Sequence, residues 1–542
     1  MITKWTLNEH ANGVLEVEVD GDIWTKAQKK VFNNLKKQVN LKGFRKGHVP
    51  EALIRKQIPS QMVYEYAAEE VANEALAKGI EENKLELVAR PTLEVKEAND
   101  EKFDKIMNFS EGYKKFITLG KTERLCVEEA LKLAKSYGYK NLAEVKELKE
   151  GDKVYLTNMN KNIVLFHIGA KKITEGMRVL GAHIDSPRLD VKQNPLYEKN
   201  DFALLDTHYY GGVKKYQWVT IPLAIHGIII KKDGSSVFVS IGDDLTDPIV
   251  GISDLLIHLA ADQLQKTAAK VIEGEDLDIT FGSIPLKAAE KDAVKANVLK
   301  MLKEKYDIEE EDFLSAELEI VPAGMARDYG LDRSMIAGYG HDDRVCAYTS
   351  LMAVLDVQNP EYTSCCILVD KEEIGSVGAT GAQSLFFENA ILDILALQGY
   401  TTLKDLRTTL ANTKMLSSDV SAGFDPLFAN VNDPKNAAYL GRGIVFNKYT
   451  GSRGKSGSND ANPEYVAWVR NVMDKNNIHF QTAELGKVDQ GGGGTIAYIL
   501  GNYNMNVLDA GIAVLNMHAP MEVVSKADVY EAYLAYKAFL EE

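Results

Sequence analysis

The chain has 542 residues, of which 45% are hydrophobic and 26% charged, with a formal net charge of −15. This is ordinary globular usage with room for about three domains, and it excludes a disordered or fibrous chain. No apolar run is long enough to span a bilayer and no signal peptide is read, so the expectation is a soluble cytoplasmic protein with no membrane partner. Residues 1–100 hold 15 basic and 16 acidic groups against 48 and 62 in the remainder, which argues against nucleic-acid binding by the larger part. The four cysteines, Cys126, Cys346, Cys365 and Cys366, form no Cys-x-x-Cys pair, as in a reducing compartment.

Taken in chain order, Val14–Val19 alternates as a strand and Lys26 to Val39 reads as a helix carrying Lys26, Lys29, Lys30, Lys36 and Lys37. A loop follows, Gly43-Phe-Arg-Lys-Gly-His-Val-Pro50. Ser60 then caps a long helix through about Lys84, and Pro91–Lys96 reads as a strand. Between Lys26 and Lys56 lie ten basic residues and one acidic, Glu51. Such a patch favours RNA phosphates, although a solvated helix face has the same pattern. The eight-residue loop resembles the ribosome-docking loop of trigger factor, the bacterial nascent-chain chaperone. That resemblance implies a small α+β docking domain over 1–100, with Gly43, Phe44, Arg45, Lys46 and Gly47 as ribosome-binding residues and the ribosome as partner. Trigger factor's domain continues into another strand after Asp100. Here Glu94–Asp100 passes straight into Lys102–Ser110, so the domain reads as truncated by about one strand and the joint as a fusion.

The run Met177-Arg-Val-Leu-Gly-Ala-His183 reads as a buried strand whose end delivers His183 into a site, with Asp185 two residues on. A metal-ligating imidazole needs an acceptor on its other ring nitrogen, and His-x-Asp supplies both. A lone histidine at a strand end is more often structural. From about Gln193 to Ala337 the pattern changes to short β runs, such as Trp218–Ile230 and Ser236–Ser240, followed by a charged helix from about Ala288 to Lys305. This stretch reads as an insertion. Within it, His258 sits in Asp254-Leu-Leu-Ile-His-Leu259.

Four further clusters follow: Gly340-His-Asp-Asp-Arg344, Asp370-Lys-Glu-Glu-Ile-Gly-Ser376, Ser417-Ser-Asp-Val420 and Asn516-Met-His-Ala-Pro520. Each begins or ends an apolar strand-like run, where open α/β sheets build their sites. Any one of these carboxylates alone reads as a solvated surface group. Together, one His, one Asp, a Glu-Glu pair, one Asp and one His make the ligand set for two zinc-type ions sharing a carboxylate, with a spare Glu. Three glycine-rich stretches do not make a nucleotide site. Gly451–Ser456 ends like a Walker A loop but has Tyr449 where the first Gly belongs; Gly491–Thr495 lacks the following Lys; Gly211-Gly212 is an isolated pair. All read as loops where backbone approaches a substrate or another subunit.

With Tyr113-Lys-Lys-Phe116, Lys121-Thr-Glu123, His183-Ile-Asp-Ser-Pro187, Glu372-Glu-Ile-Gly-Ser376, Gly381-Ala-Gln-Ser384, Ser418-Asp-Val420 and Met517-His-Ala519, the ordered set resembles the M18 family of metallo-aminopeptidases. The likeness runs from about Asn108 to the C-terminus. It implies a three-layer α/β/α exopeptidase domain in two parts, 101–192 and 338–542, around an inserted β-rich dimerisation and lid domain at 193–337. It implies two Zn2+ per subunit, replaceable by ions such as Co2+ or Mn2+. His183, Asp342 and Asp419 would bind one, and Asp342, Glu373 and His518 the other. Glu372 would be the general base, Asp185 would stand behind His183, and a cis peptide would follow Asp342.

His258 aligns with a family histidine that enters the neighbouring subunit's site, in a homo-oligomer that is dodecameric in the family. A helical core or interface histidine is the other reading. Relatives preferring acidic N-terminal residues carry a lysine in the strand matching Gly443–Asn447, and here that position is Val445; nearby Lys448, Arg453 and Lys455 could substitute if their loop folds inward. The resulting expectation is a zinc-dependent aminopeptidase acting on peptides, with a preference for neutral N-terminal residues. The rivals are a ribosome-associated chaperone with the enzyme part as scaffold, or a related two-zinc carboxypeptidase or deacylase.

Overall fold

Two units form, Met1–Lys102 and Phe103–Glu542. The computed structural model describes residues 2–7, 13–18, 21–37, 60–84, 100–452 and 454–542. The docking-loop residues Gly43, Phe44, Arg45, Lys46 and Gly47, the expected strand Pro91–Lys96 and Arg453 lie outside the described residues.

In the smaller unit, strands Ile2–Leu7 and Gly13–Glu18 pair antiparallel. Helices Gly21–Lys36 and Ser60–Asn83 bury Ala27 and Val31 together with Val63, Ala67 and Val71. The first helix starts at Gly21, five residues before the expected Lys26. Its apolar stripe Trp24–Ala27–Val31–Leu35 keeps helical spacing into that first turn, and Trp24 and Leu35 pack on the same cluster.

The larger unit is α/β. Its nine-stranded sheet runs, in spatial order, Phe480–Thr482, Ile444–Asn447, Asn506–Gly511, Lys414–Ser417, Met177–His183, Thr363–Val369, Asn162–His167, Lys153–Asn158 and Lys140–Asn141. The four central strands, from Asn506–Gly511 to Thr363–Val369, are parallel. Parallel strands are buried on both faces and so read as continuous apolar runs. Successive side chains point to opposite cores. Cys366 and Leu368 join Leu180, Leu416 and helices His341–Asp356 and Lys526–Glu541; Cys365, Ile367 and Val369 join Val179, Met415 and helix Phe386–Leu397. This is the three-layer α/β/α arrangement.

Between His183 and Asp342 the chain builds a six-stranded antiparallel sheet. Its order is Ser236–Ile241, Leu223–Ile230, Ala316–Pro322, Arg188–Lys199, Phe202–Tyr210 and Ile279–Gly282. The run expected from Trp218 becomes a strand only at Leu223, because Thr220 takes φ 61 and Pro222 follows. The helix expected from Ala288 starts at Ala293. Asp292 is left-handed there, and Glu198 accepts the amides of Val294 and Lys295 at 2.9 Å each. A five-stranded sheet, Arg327–Tyr329, Met335–Gly338, Glu522–Ser525, Ala513–Leu515 and Ser421–Ala422, completes the unit.

Buried charge joins the six-stranded sheet to the main body. Glu123, in the first turn of helix Glu123–Ser136, meets Lys161 at 3.0 Å and Arg188 at 3.2 Å. Arg188 also reaches Asp190 at 2.8 Å and Glu319 at 3.3 Å, and Lys161 reaches Glu317 at 2.6 Å. Burial opposes ionisation of Glu123, but Arg188 and Lys161 overcome it and hold its carboxyl well below the usual range. Removing one partner of a buried pair leaves the others uncompensated, at a cost of about 3–5 kcal/mol. Glu123→Ala is therefore expected to lower the urea unfolding midpoint sharply; a midpoint equal to wild type would show that this network carries no stability.

Candidate metal centre

The C-terminal ends of the parallel strands converge on one spot, as strand ends do in open α/β sheets. The strand Met177–His183 ends in His183. Lys414–Ser417 is followed by Asp419, and Thr363–Val369 by a 3-10 turn, Glu372–Ile374. Asp342 opens helix His341–Asp356, and its bond to Asp343 is cis. His518, with φ 65, lies between strands Ala513–Leu515 and Glu522–Ser525. Gly340, with φ 76, leads into this turn, where a Cβ would strike Arg344 Nη1 at 2.1 Å and Ser186 Oγ at 2.8 Å.

These side chains face one another. Asp342 Oδ1 is 3.1 Å from His183 Nε2, and Asp342 Oδ2 is 3.3 Å from His518 Nε2. His183 Nε2 also looks toward Asp419 Oδ1 at 3.9 Å and Glu372 Oε2 at 4.0 Å. His518 Nε2 lies 3.5 Å from Glu373 Oε2. The far ring nitrogens are held too. His183 Nδ1 is 3.1 Å from the Asp185 carbonyl and 3.3 Å from its Oδ1, and His518 Nδ1 is 3.1 Å from the Gly212 carbonyl. Both rings therefore present Nε2 to the centre. Asp185 points away from that centre. Its carboxylate accepts the backbone N–H of Glu372 on Oδ1 and of Glu373 on Oδ2, each at 3.1 Å.

Three neighbours escaped the sequence reading. Glu522 accepts the amide of Asp342 at 2.9 Å and of His518 at 2.7 Å. Asp343 is buried and faces the His183 amide at 3.4 Å. Tyr210, from the six-stranded sheet, donates its hydroxyl to Asp185 at 2.8 Å. A lone acid in the apolar strand Glu522-Val-Val-Ser525, four residues past His518, and the doubled Asp342-Asp343 were the available signals. Tyr210 gave none.

Carboxylates outnumber the two imidazoles here, and among those facing the centre only Asp342, whose burial is outweighed by the two rings it faces, is held below the usual range. Burial, then neighbouring carboxylates, pushes Glu373 and Asp419 well above the usual range. Burial also lifts Glu372 to about 7, against the pull of His183, and Glu522 to about 8. Burial alone would lower His518, but its hydrogen bond to Asp342 raises it to about 10. Glu373 Oε1 and Asp343 Oδ1 are buried with no hydrogen-bond partner. Imidazole nitrogens and carboxylates with spare lone pairs are the donors zinc takes. Carboxylates of His183–Asp342–Glu373 and His183–Asp343–Asp419 each gather with the imidazole inside 4.8 Å. The trio Glu123, Glu317 and Glu319 gathers as tightly, but Lys161, Arg188 and Arg124 already pair with its carboxylates.

His258 stands apart. It is exposed on the turn Ile257–Leu259, flanked by exposed Leu255, Leu256, Ile257 and Leu259, which excludes the core reading. Val445 is fully buried on strand Ile444–Asn447, against Ala438, Ala483 and Ala513. Lys448 and Lys455, which could have served in its place, both pair with Asp460.

The sequence profile described as aminopeptidase I zinc metalloprotease (M18) matches residues 116–540. The chain belongs to the M18 family. It is a zinc metallo-aminopeptidase. The M18 aminopeptidase 1 assigned as probable in Clostridium acetobutylicum is 61% identical over 448 residues, covering 82% of this chain and 96% of its own. The crystal structure of the Thermotoga maritima M18 aminopeptidase superposes with a TM-score of 0.79 at 45% identity, over 81% of this chain and 97% of that one. The mApe1 dodecamer of S. cerevisiae shares the fold, with a TM-score of 0.65 at 20% identity, over 80% of this chain and 97% of its own. A second profile, of bacterial trigger factor protein, matches residues 1–136. The two matches overlap from 116 to 136. There Phe116, Ile117, Cys126, Val127, Ala130 and Ala134 are buried in the core of the larger unit.

Proposed function

We propose that this M18 enzyme works with two zinc ions per subunit. His183, Asp342 and Asp419 would hold one, and Asp342, Glu373 and His518 the other. The observation that carries this is Asp342, whose two oxygens face His183 Nε2 at 3.1 Å and His518 Nε2 at 3.3 Å, as a shared carboxylate must. When bound, such ions polarise the scissile carbonyl and lower the pKa of water. Glu372, next to the ligand Glu373 yet free of the His518 pairing, takes the proton of the attacking water and returns it to the leaving amine. Asp185 holds the Glu372–Glu373 turn by its amides, which fixes where that carboxylate stands.

Two further assignments rest on the same reading. Residues 193–337 act as the lid and dimerisation domain. The exposed apolar segment Leu255–Leu259 carries His258 to the substrate carbonyl in a second copy, within a larger assembly such as the dodecamer of the yeast relative. Light scattering checks the assembly, and a fully active monomer would contradict it. Residues 1–100 form a ribosome-docking segment, supported by the trigger-factor profile and the basic stretch from Lys26 to Lys56.

Glu372→Gln is expected to keep its zinc and lose at least about 10²-fold in turnover, the scale of a general base; metal analysis beside steady-state kinetics decides, and near-wild-type turnover would remove Glu372 from the mechanism. Peptides starting with Leu should be cleaved with higher kcat/KM than those starting with Asp or Glu. Val445 offers no cation against the desolvation of a buried carboxylate, several kcal/mol per ion, and Lys448 and Lys455 are already paired. An acidic substrate favoured about tenfold, or 1.4 kcal/mol of transition-state binding, would reverse the assignment. Co-sedimentation with ribosomes should be salt-sensitive and should drop when Phe44, Arg45 and Lys46 become Ala; unchanged binding would contradict the docking role.

A further inference from the structure

The six-stranded sheet reaches the metal centre through three consecutive residues at the end of strand Phe202–Tyr210. Tyr210 donates its hydroxyl to Asp185 Oδ2 at 2.8 Å, beside the Glu373 amide at 3.1 Å on the same oxygen. Asp185 Oδ1 takes the Glu372 amide at 3.1 Å and faces His183 Nδ1 at 3.3 Å. Four groups thus surround one carboxylate, and of these Tyr210 alone comes from the six-stranded sheet. Its ring is held in turn by the Arg188 guanidinium, 4.0 Å from the ring centroid, and Arg188 is anchored by Glu123 and Glu319.

Gly211 follows with φ 74, and a Cβ there would lie 3.4 Å from Glu373 Cβ and 3.5 Å from Glu373 Oε2. Gly212 accepts the Nδ1–H of His518 on its carbonyl at 3.1 Å, and a Cβ at 212 would meet that same nitrogen at 3.1 Å. The backbone comes this close because neither residue has a side chain.

We propose that Tyr210, Gly211 and Gly212 form a positioning strap by which the six-stranded sheet holds both sides of the metal centre. Tyr210 acts through Asp185 on His183 and the Glu372–Glu373 turn. Gly212 acts on His518 by fixing its tautomer and ring plane. Groups behind metal ligands typically change metal affinity or activity by about 10–100-fold when altered. The proposal rests on the two-zinc reading above, so its test begins with wild-type zinc content.

The experiment compares wild type, Tyr210→Phe and Gly212→Ala for zinc per subunit during chelator titration, for kcat and KM, and for melting temperature. Wild type holding fewer than two ions would overturn the two-zinc reading itself. With two ions held, Gly212→Ala is expected to release one of them at about tenfold lower chelator concentration. Gly212 has no left-handed φ to preserve, so strain of that kind does not account for such a loss. Tyr210→Phe removes one oxygen from a packed ring. It is expected to keep both ions and its melting temperature while kcat falls about 10-fold or more and KM stays within about twofold. Wild-type zinc retention and kcat in both variants would overturn the strap. So would a Tyr210→Phe defect that appears only as a lower melting temperature.

Discussion

The carboxylate of Asp342 stands between two imidazoles with one oxygen toward each, and much of the larger unit is arranged around that placement. A buried carboxylate is costly unless positive charge and hydrogen bonds compensate it. Here Asp343, Glu373, Asp419 and Glu522 crowd the same volume, and burial moves each of them above its usual range. Such a cluster is stable chiefly as a receptacle for cations. The rest of the fold supplies rigid mounts for it. His183 ends one central parallel strand, Asp419 follows another, Glu373 lies in the turn after a third, and Asp342 and His518 come from the five-stranded sheet's connections.

Much of this was legible in the sequence because of how parallel strands are buried. Met177–His183 and Thr363–Val369 lie between two apolar layers, so both are buried along their length and run apolar from Val179 to Ala182 and from Cys365 to Val369. A polar cluster at the end of such a run therefore announces itself, and the His183, Asp342, Glu372, Glu373, Asp419 and His518 positions do meet in space. What stayed illegible depends on approach from distant sequence. Tyr210 touches Asp185 from another sheet, and Gly212 meets His518 across 306 positions. Periodicity carries no record of such contacts. The helix starts at Gly21 and Ala293 were shifted for local reasons, a continuing stripe in one and a left-handed Asp292 in the other.

The beginning of the peptidase core shows a different kind of ambiguity. Helix Asp100–Leu119 runs across the division between the two units, and Tyr113, Phe116 and Ile117 from its second half are buried in the larger one. Tyr113 also sits 2.5 Å from His341 Nδ1, directly before Asp342. A trigger-factor-like match that extends to residue 136 therefore overlaps residues whose packing belongs to the peptidase. Sequence similarity and packing draw the boundary at different places.

The vicinal cysteines have a practical consequence. Adjacent strand residues face opposite sides, so Cys365 and Cys366 belong to separate apolar layers. All four cysteines are buried and unpaired, and burial lifts their thiols well above the ordinary range, Cys126 to about 12. Thiolate character governs reactivity toward alkylating reagents. The native enzyme therefore presents almost no background to a maleimide dye. A single cysteine introduced on a solvent-facing loop would carry a fluorophore cleanly, opening the enzyme's conformational motions to single-molecule spectroscopy without first rebuilding the core.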